Sequence, residues 1–274
     1  MWMTLALATA MSLAPEQAGS LRLTNVRATY GMQGPIRTDN KILPGDAYFV
    51  AFDMENVRVD PMGRVLYTMG MEVIDAKSGK VLFKQDPRDL EALNSLGGTT
   101  VPAFAHVTVG LDHPPGQFKL RVTVTDRVAK ATQTLEQPFE VLKPDFGLVR
   151  LQLSAFSTDQ TPERFSMPPI GAPGQIVWVN FALVGFGLDS NKKPNLAVEM
   201  TIVDAETGKP TLSEPFRGAA NQDIPENFRA VPMAFFVALN RPGKYTIRLK
   251  ATDLISRKTS ELSFPFTVYK VPAK

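Results

Sequence analysis

The clearest pattern along the chain is strict alternation. Phe118, Leu120, Val122 and Val124 are apolar, while Lys119, Arg121 and Thr123 between them are polar. Tyr245, Ile247, Leu249 and Ala251 repeat the arrangement against Thr246, Arg248 and Lys250. A period of two sends alternate side chains to opposite faces, so each run predicts a strand with one dry and one wet face. Pro-Gly precedes both runs and Thr-Asp follows both, which is turn chemistry. In the first half, strand-like runs cover Leu21–Ala28, Ala47–Met54, Leu66–Ile74, His106–Val109, Phe118–Thr125 and Leu135–Leu142. Turn signals separate them about every ten residues, the spacing of an antiparallel sandwich. One segment reads differently. Asp86–Gly97 begins on an N-cap Asp with Pro87 behind it, carries Leu90, Leu93 and Leu96, and stops at glycine. That combination predicts a short helix crossing between sheets.

The pattern is written twice. Pro44-Gly45-Asp46-Ala47-Tyr48-Phe49-Val50-Ala51-Phe52 recurs 129 residues later as Pro173-Gly174-Gln175-Ile176-Val177-Trp178-Val179-Asn180-Phe181. The same offset carries Asp75–Lys80 to Asp204–Lys209. Pro115–Asp126 recurs as Pro242–Asp253 at an offset of 127, and Pro138–Val141 as Pro265–Val268. An offset kept over about a hundred residues, with one net deletion in a loop, predicts internal duplication. The expected organisation is an N-terminal segment 1–20, a first domain 21–144 and a second 145–274. Their boundary at Lys143-Pro144-Asp145 is too short for a flexible linker, so the copies should abut.

The paired motifs Pro-Gly-x-(Phe/Tyr)-x-(Leu/Ile)-Arg, closing on Thr-Asp, and the later Pro-Phe-x-Val resemble the last hairpin of bacterial extracytoplasmic immunoglobulin-like domains. The Asp-Ala-x-(Ser/Thr)-Gly-Lys hairpin belongs to the same likeness, which covers 20–144 and 145–272. It implies an all-β fold of two tandem immunoglobulin-like antiparallel β-sandwiches related by internal duplication. It brings no catalytic residues with it, because that architecture hosts many unrelated roles.

Composition narrows the chemistry. With no cysteine among 274 residues, a disulfide framework, a Cys-ligated metal and a thiol nucleophile are all excluded. Proline is abundant, at 22 residues, as expected where turns and sheet edges are many. The net charge of +3 is spread over both halves, and the basic doublets Lys192-Lys193 and Arg257-Lys258 sit among turn formers. Nucleic-acid binding needs a concentrated basic face, so no nucleic-acid partner is expected. Residues 1–14 are uncharged and mostly apolar, and Ala8-Thr9-Ala10 resembles a cleavage site, although no basic residue opens the segment. It predicts a signal peptide and an extracytoplasmic address: periplasmic, cell-surface or secreted. It is too short for a transmembrane helix.

Candidate catalytic groups are few. His106 and His113 have no counterparts in the second copy, and no Gly-x-Ser-x-Gly, His-Glu-x-x-His or Asp-rich calcium loop occurs. Asp75, Asp204, Asp126 and Asp253 fall at hairpins, where Asp caps backbone N–H groups. Met54, Met62, Met69 and Met71 cluster in sequence and suggest either Cu(I) through thioethers or core filling. Trp178 falls in an expected core strand, and Phe49, Phe52 and Phe181 at expected inward positions. That leaves the aromatic–arginine pairs Arg164-Phe165, Phe216-Arg217 and Phe228-Arg229 as contact candidates. The expectation is a non-catalytic exported structural or protein-interaction module without a cofactor. Its partner would be an envelope or extracellular protein. The alternative is a module that binds carbohydrate or, through the methionines, copper.

Overall fold

Every regular element among the described residues is a strand. The computed structural model describes residues 20–156, 164–221, 224–225 and 227–270, so all of the expected signal segment but Ser20 lies outside them. The first eight strands are β1 (Arg22–Thr29), β2 (Lys41–Ile42), β3 (Ala47–Glu55), β4 (Arg64–Asp75), β5 (Val81–Leu93), β6 (Thr100–Thr108), β7 (Gly116–Asp126) and β8 (Thr132–Val141). They form two sheets, ordered β1-β3-β6 and β2-β8-β7-β4-β5. The remaining strands are β9 (Gly147–Phe156), β10 (Arg164–Ser166), β11 (Ile170–Gly171), β12 (Ile176–Val184), β13 (Leu196–Asp204), β14 (Phe216–Ala220), β15 (Ala230–Ala238), β16 (Gly243–Asp253) and β17 (Thr259–Val268). They form sheets ordered β10-β9-β12-β15 and β11-β17-β16-β13-β14. Pairing is antiparallel except for the short edges β2–β8 and β11–β17. The fold is all-β, two immunoglobulin-like antiparallel sandwiches.

Each sandwich closes on its own core. Tyr48, Phe52 and Met54 of β3 meet Leu120, Val122 and Val124 of β7 in the first. Val177, Val179 and Phe181 of β12 meet Ile247, Leu249 and Ala251 of β16 in the second. The alternation read from Phe118–Val124 and Tyr245–Ala251 is therefore the inward set of the β7 and β16 strands. Without disulfides, these apolar faces supply the main driving force for folding.

The two sandwiches correspond in backbone detail. Their five-stranded sheets share one order, with β2, β8, β7, β4 and β5 matched by β11, β17, β16, β13 and β14. Positive φ angles also fall at matched turns: Gly45 and Gly174, Asn56 and Gly185, Gly63 and Lys192, Gly79 and Gly208, Lys130 and Arg257. A left-handed residue other than glycine costs roughly 1–2 kcal/mol, so Asn56, Lys130, Lys192 and Arg257 are held there by the surrounding turns.

The helix expected over Asp86–Gly97 is absent, and that reading is corrected. The segment continues β5, which pairs along β4 from Ile74↔Val81 to Arg64↔Leu93. The register shifts between Met69 and Met71, and Pro87 packs against Gly70 there. A proline without an N–H is tolerated at such a bulge on a sheet edge. The leucine stripe finds nothing to cover, since Leu93 is 67% exposed and Leu96 fully so. A short helix without a buried face has little to hold it against a continuous ladder.

Candidate functional site

The end of the first sandwich that meets the second is built around Asp46. This buried carboxylate receives Arg37 Nη2 at 2.6 Å, and the Arg37 guanidinium lies over the Tyr30 ring at 4.2 Å. Asp46 Oδ1 accepts the N–H groups of Ala47 at 2.8 Å and of Arg150, on β9, at 2.7 Å. Arg150 Nε returns a bond to the Gly45 carbonyl at 2.7 Å. Beside this knot, Leu43 and Leu111 pack onto Val149, Ala182, Val184 and Ala230. In the first sandwich, the β3 positions matching Ala182 and Val184 are Asp53 and Glu55, which face Arg27 and Arg22. The joint is apolar only where it is covered.

The same joint is where the offset falls, from 130 between Val109 and Leu239 to 127 between Pro115 and Pro242. Five residues, Gly110–Pro114, connect Val109 to Pro115, where Asn240 and Arg241 alone connect Leu239 to Pro242. Within the longer loop, Leu111 enters the joint and Asp112 takes a fork from Arg229, at 2.8 and 2.7 Å. Arg229, one of the expected contact residues, is thus engaged within the chain, and Phe228 lies exposed beside it.

The other expected pairs lie elsewhere. Phe165, on the edge strand β10, is 52% exposed, while the side chain of Arg164 is outside the described ones. Phe216 opens the edge strand β14 and packs on the second core. Arg217 beside it bonds Glu199 at 3.3 Å and Glu214 at 2.8 Å. The six residues occupy three places and do not converge on one patch.

A surface missed in the sequence lies on the open flank of the second sandwich. β5 runs thirteen residues, but its counterpart β14 has five and pairs only Leu196–Met200 of β13. Beside it lies a cleft of about 460 Å³ lined by Ile202, Leu212, Phe216, Phe236, Leu239 and Tyr245 among others. A cleft of about 490 Å³ occupies the matching flank of the first sandwich, where Met71, His106 and His113 lie on its wall. β15 forms the edge beside the second cleft, and Pro232, Ala234, Phe236 and Ala238 are exposed along it. Across the outer face of β12, Trp178 stands 5.8 Å from Phe236, with Ile176 51% and Phe236 55% exposed. Phe52 and Phe181 are buried inward as expected. Phe49 is corrected: it occupies the opposite face of β3 and stacks on His106 at 4.8 Å, and Trp178 lies in a core strand as expected but on its outer face. The signal that could have found this surface was the unbroken apolar run Ile176-Val177-Trp178-Val179, which no single buried face explains.

The hairpin aspartates cap backbone groups, as expected. Asp75 Oδ1 accepts the Ser78 N–H and hydroxyl, which hold its carboxyl below the ordinary range. Asp204 is lowered in the same way by the Thr207 N–H. Met54 is fully buried, Met69 and Met71 pack on the same core, and Met62 stands exposed in a turn. No group of three or more His, Asp or Glu side chains is placed for a metal among the described residues. No helix among them is long and apolar enough to cross a membrane.

No family model matches the chain, and no curated protein matches its sequence. Solved structures similar to it at low identity include the following three. Latent PorU from Porphyromonas gingivalis is 10% identical over 97% of this chain and 22% of its own, with a TM-score of 0.39. Red sea bream transglutaminase is 9% identical over 93% of this chain and 32% of its own, with a TM-score of 0.28. The C-terminal domain of the Streptococcus pyogenes antigen I/II-family protein AspA is 8% identical over 91% of this chain and 100% of its own, with a TM-score of 0.29. The chain thus spans less than a third of the first or about a third of the second, and none of the three bears on what it does.

Proposed function

We propose that the chain is an exported, non-catalytic protein-interaction module. In this reading two sandwiches, 21–144 and 145–274, descend from one ancestor by duplication, and the Asp46–Arg150 joint holds them as one body. The second presents its open flank to an envelope or extracellular protein. One observation carries the reading: β15, a nine-residue strand at a sheet edge, has no polar side chain. Free edges are ordinarily guarded by charge or covered, because their unpaired N–H and C=O groups accept further strands. An uncharged edge beside an apolar cleft has the parts of a strand-addition site: main-chain groups for affinity and a pocket for side chains.

Neutral carbohydrate is the second reading, favoured by the outward Trp178–Phe236 pair. Affinity capture from native envelopes separates the two. Wild type is expected to retain a protein that the Phe236→Lys variant loses. Equal retention by both would overturn the strand-edge reading, and heat on titration with neutral oligosaccharides, abolished by Trp178→Ala, would favour the glycan.

A further inference from the structure

We infer that the occupant of the β15 edge is a second copy of this chain, paired antiparallel about a two-fold axis at Phe236. The inference rests on the preceding reading of that edge as a protein-binding surface. Antiparallel pairing of a strand with itself is isologous and closes after two copies. It also sets each strand against its own side chains. β1 carries Arg22 and Arg27, and β5 carries Lys84, Asp86, Arg88, Asp89 and Glu91. β6, the edge that matches β15 in the first sandwich, has no Lys, Arg, Asp or Glu but exposes Thr100, His106 and Thr108. β15 has neither charged nor polar side chains, so self-pairing there meets no electrostatic opposition and desolvates no polar side chain.

Proline fixes the register. Pro232 has no N–H to give a new neighbour, and a proline blocks ladder growth where it lies. The stretch beyond it, Ala234–Ala238, has no such interruption. Centring the axis on Phe236 places Ala234 opposite Ala238 of the second copy and leaves Pro232 outside the ladder. Centring it on Ala234 would instead set Pro232 opposite Phe236. In the favoured register the two exposed Phe236 rings become a cross-strand aromatic pair, flanked by small alanines and backed by Ile176 and Trp178. Two four-stranded sheets then merge into one of eight, ordered β10-β9-β12-β15-β15-β12-β9-β10.

The absence of cysteine makes the register directly testable. In the full chain carrying Phe236→Cys, opposed strand positions lie within the Cα separation a disulfide accepts, so mild oxidation is expected to give a covalent dimer. Leu96→Cys, fully exposed in a turn of the first sandwich, is the control. Sedimentation of wild type should show a dimer whose midpoint concentration rises at least about tenfold in Phe236→Lys, the loss expected of a central aromatic anchor. Ala234→Pro, which removes a ladder N–H, should shift the midpoint in the same direction. A wild type that stays monomeric at its solubility limit overturns the inference, as does a dimer that Phe236→Cys fails to trap. If that monomer still captures an envelope protein through Phe236, only self-pairing fails. If it captures nothing, the edge reading fails with it.

Discussion

At the scale of single residues, the clearest case is a pair of buried aspartates. Asp126 in the first sandwich accepts the N–H groups of Arg58, Val128 and Ala129, and Asp253 in the second accepts those of Gly187 and Ile255 and the Ser256 hydroxyl. Each ties the loop after its own strand to the loop leaving β3 or β12. Burial pushes the Asp253 carboxyl up, but the bonds from Gly187, Ser256 and Ile255 outweigh it, so the group titrates below its ordinary range. A carboxylate lowered in the folded state stabilises it above the unfolded pKa, and that contribution is lost as pH falls through the folded value. Replacing Asp253 by Asn leaves one of these donors without an acceptor, at a cost of about 1–3 kcal/mol in urea unfolding at pH 7. The wild-type advantage should be full at pH 7 and shrink below about pH 4, where the carboxyl begins to protonate even when unfolded. An advantage that stayed constant down to pH 3 would show that the charge of Asp253 is not what holds the two loops.

At the scale of elements, β5 separates the strand from the helix that its leucines suggest. A helix over Asp86–Gly97 would bury Leu90, Leu93 and Leu96 together, and losing two of them would cost several kcal/mol. Instead Leu93, the last residue of β5, and Leu96, in the turn after it, face solvent. Leu93→Ser with Leu96→Ser should therefore lower the free energy of urea unfolding by no more than about 0.5 kcal/mol; a loss of 2 kcal/mol or more would restore the helix. The contrast also marks what can be read from sequence. Phe118–Val124 was legible because one face is dry and the other wet. Ala47–Phe52 and Ile176–Phe181 gave the strand but not the direction of Phe49 or Trp178, because both faces are apolar and alternation disappears. β5 was opaque because both faces of an edge strand are largely exposed, so a chance spacing of leucines stood unopposed. β15 was opaque for the opposite reason: its apolar run reads as an interior strand, and only the sheet order places it at an edge.

At the scale of the whole molecule, the question is whether the sandwiches press on one another or merely follow in sequence. Most of the joint was invisible in the sequence, since Asp46 and Arg150 are far apart along the chain; its only trace was the shift from 129 to 127. The matched turns of the two sandwiches supply an internal control. Gly45 and Gly174 occupy the same turn, with φ of 94° and 92°. An alanine is strained equally by either backbone, a cost on the order of 1–2 kcal/mol. Their surroundings differ. A Cβ on Gly45 would lie 2.6 Å from Leu111 Cδ2 and 3.3 Å from Val184 Cγ1, whereas a Cβ on Gly174 meets nothing within 4 Å. Leu111 belongs to the loop that is three residues longer in the first sandwich, and Val184 belongs to the second sandwich. If the two bodies are locked, Gly45→Ala must displace that contact, adding the 1–3 kcal/mol typical of overpacking. Thermal unfolding should therefore place Gly45→Ala below Gly174→Ala by several degrees. Truncating Leu111 to Ala in the same chain should close most of the gap, because it removes the closest obstacle. Equal losses at the two glycines would mean that the sandwiches do not bear on each other at this contact, and that the open flank of the second is carried on a hinge.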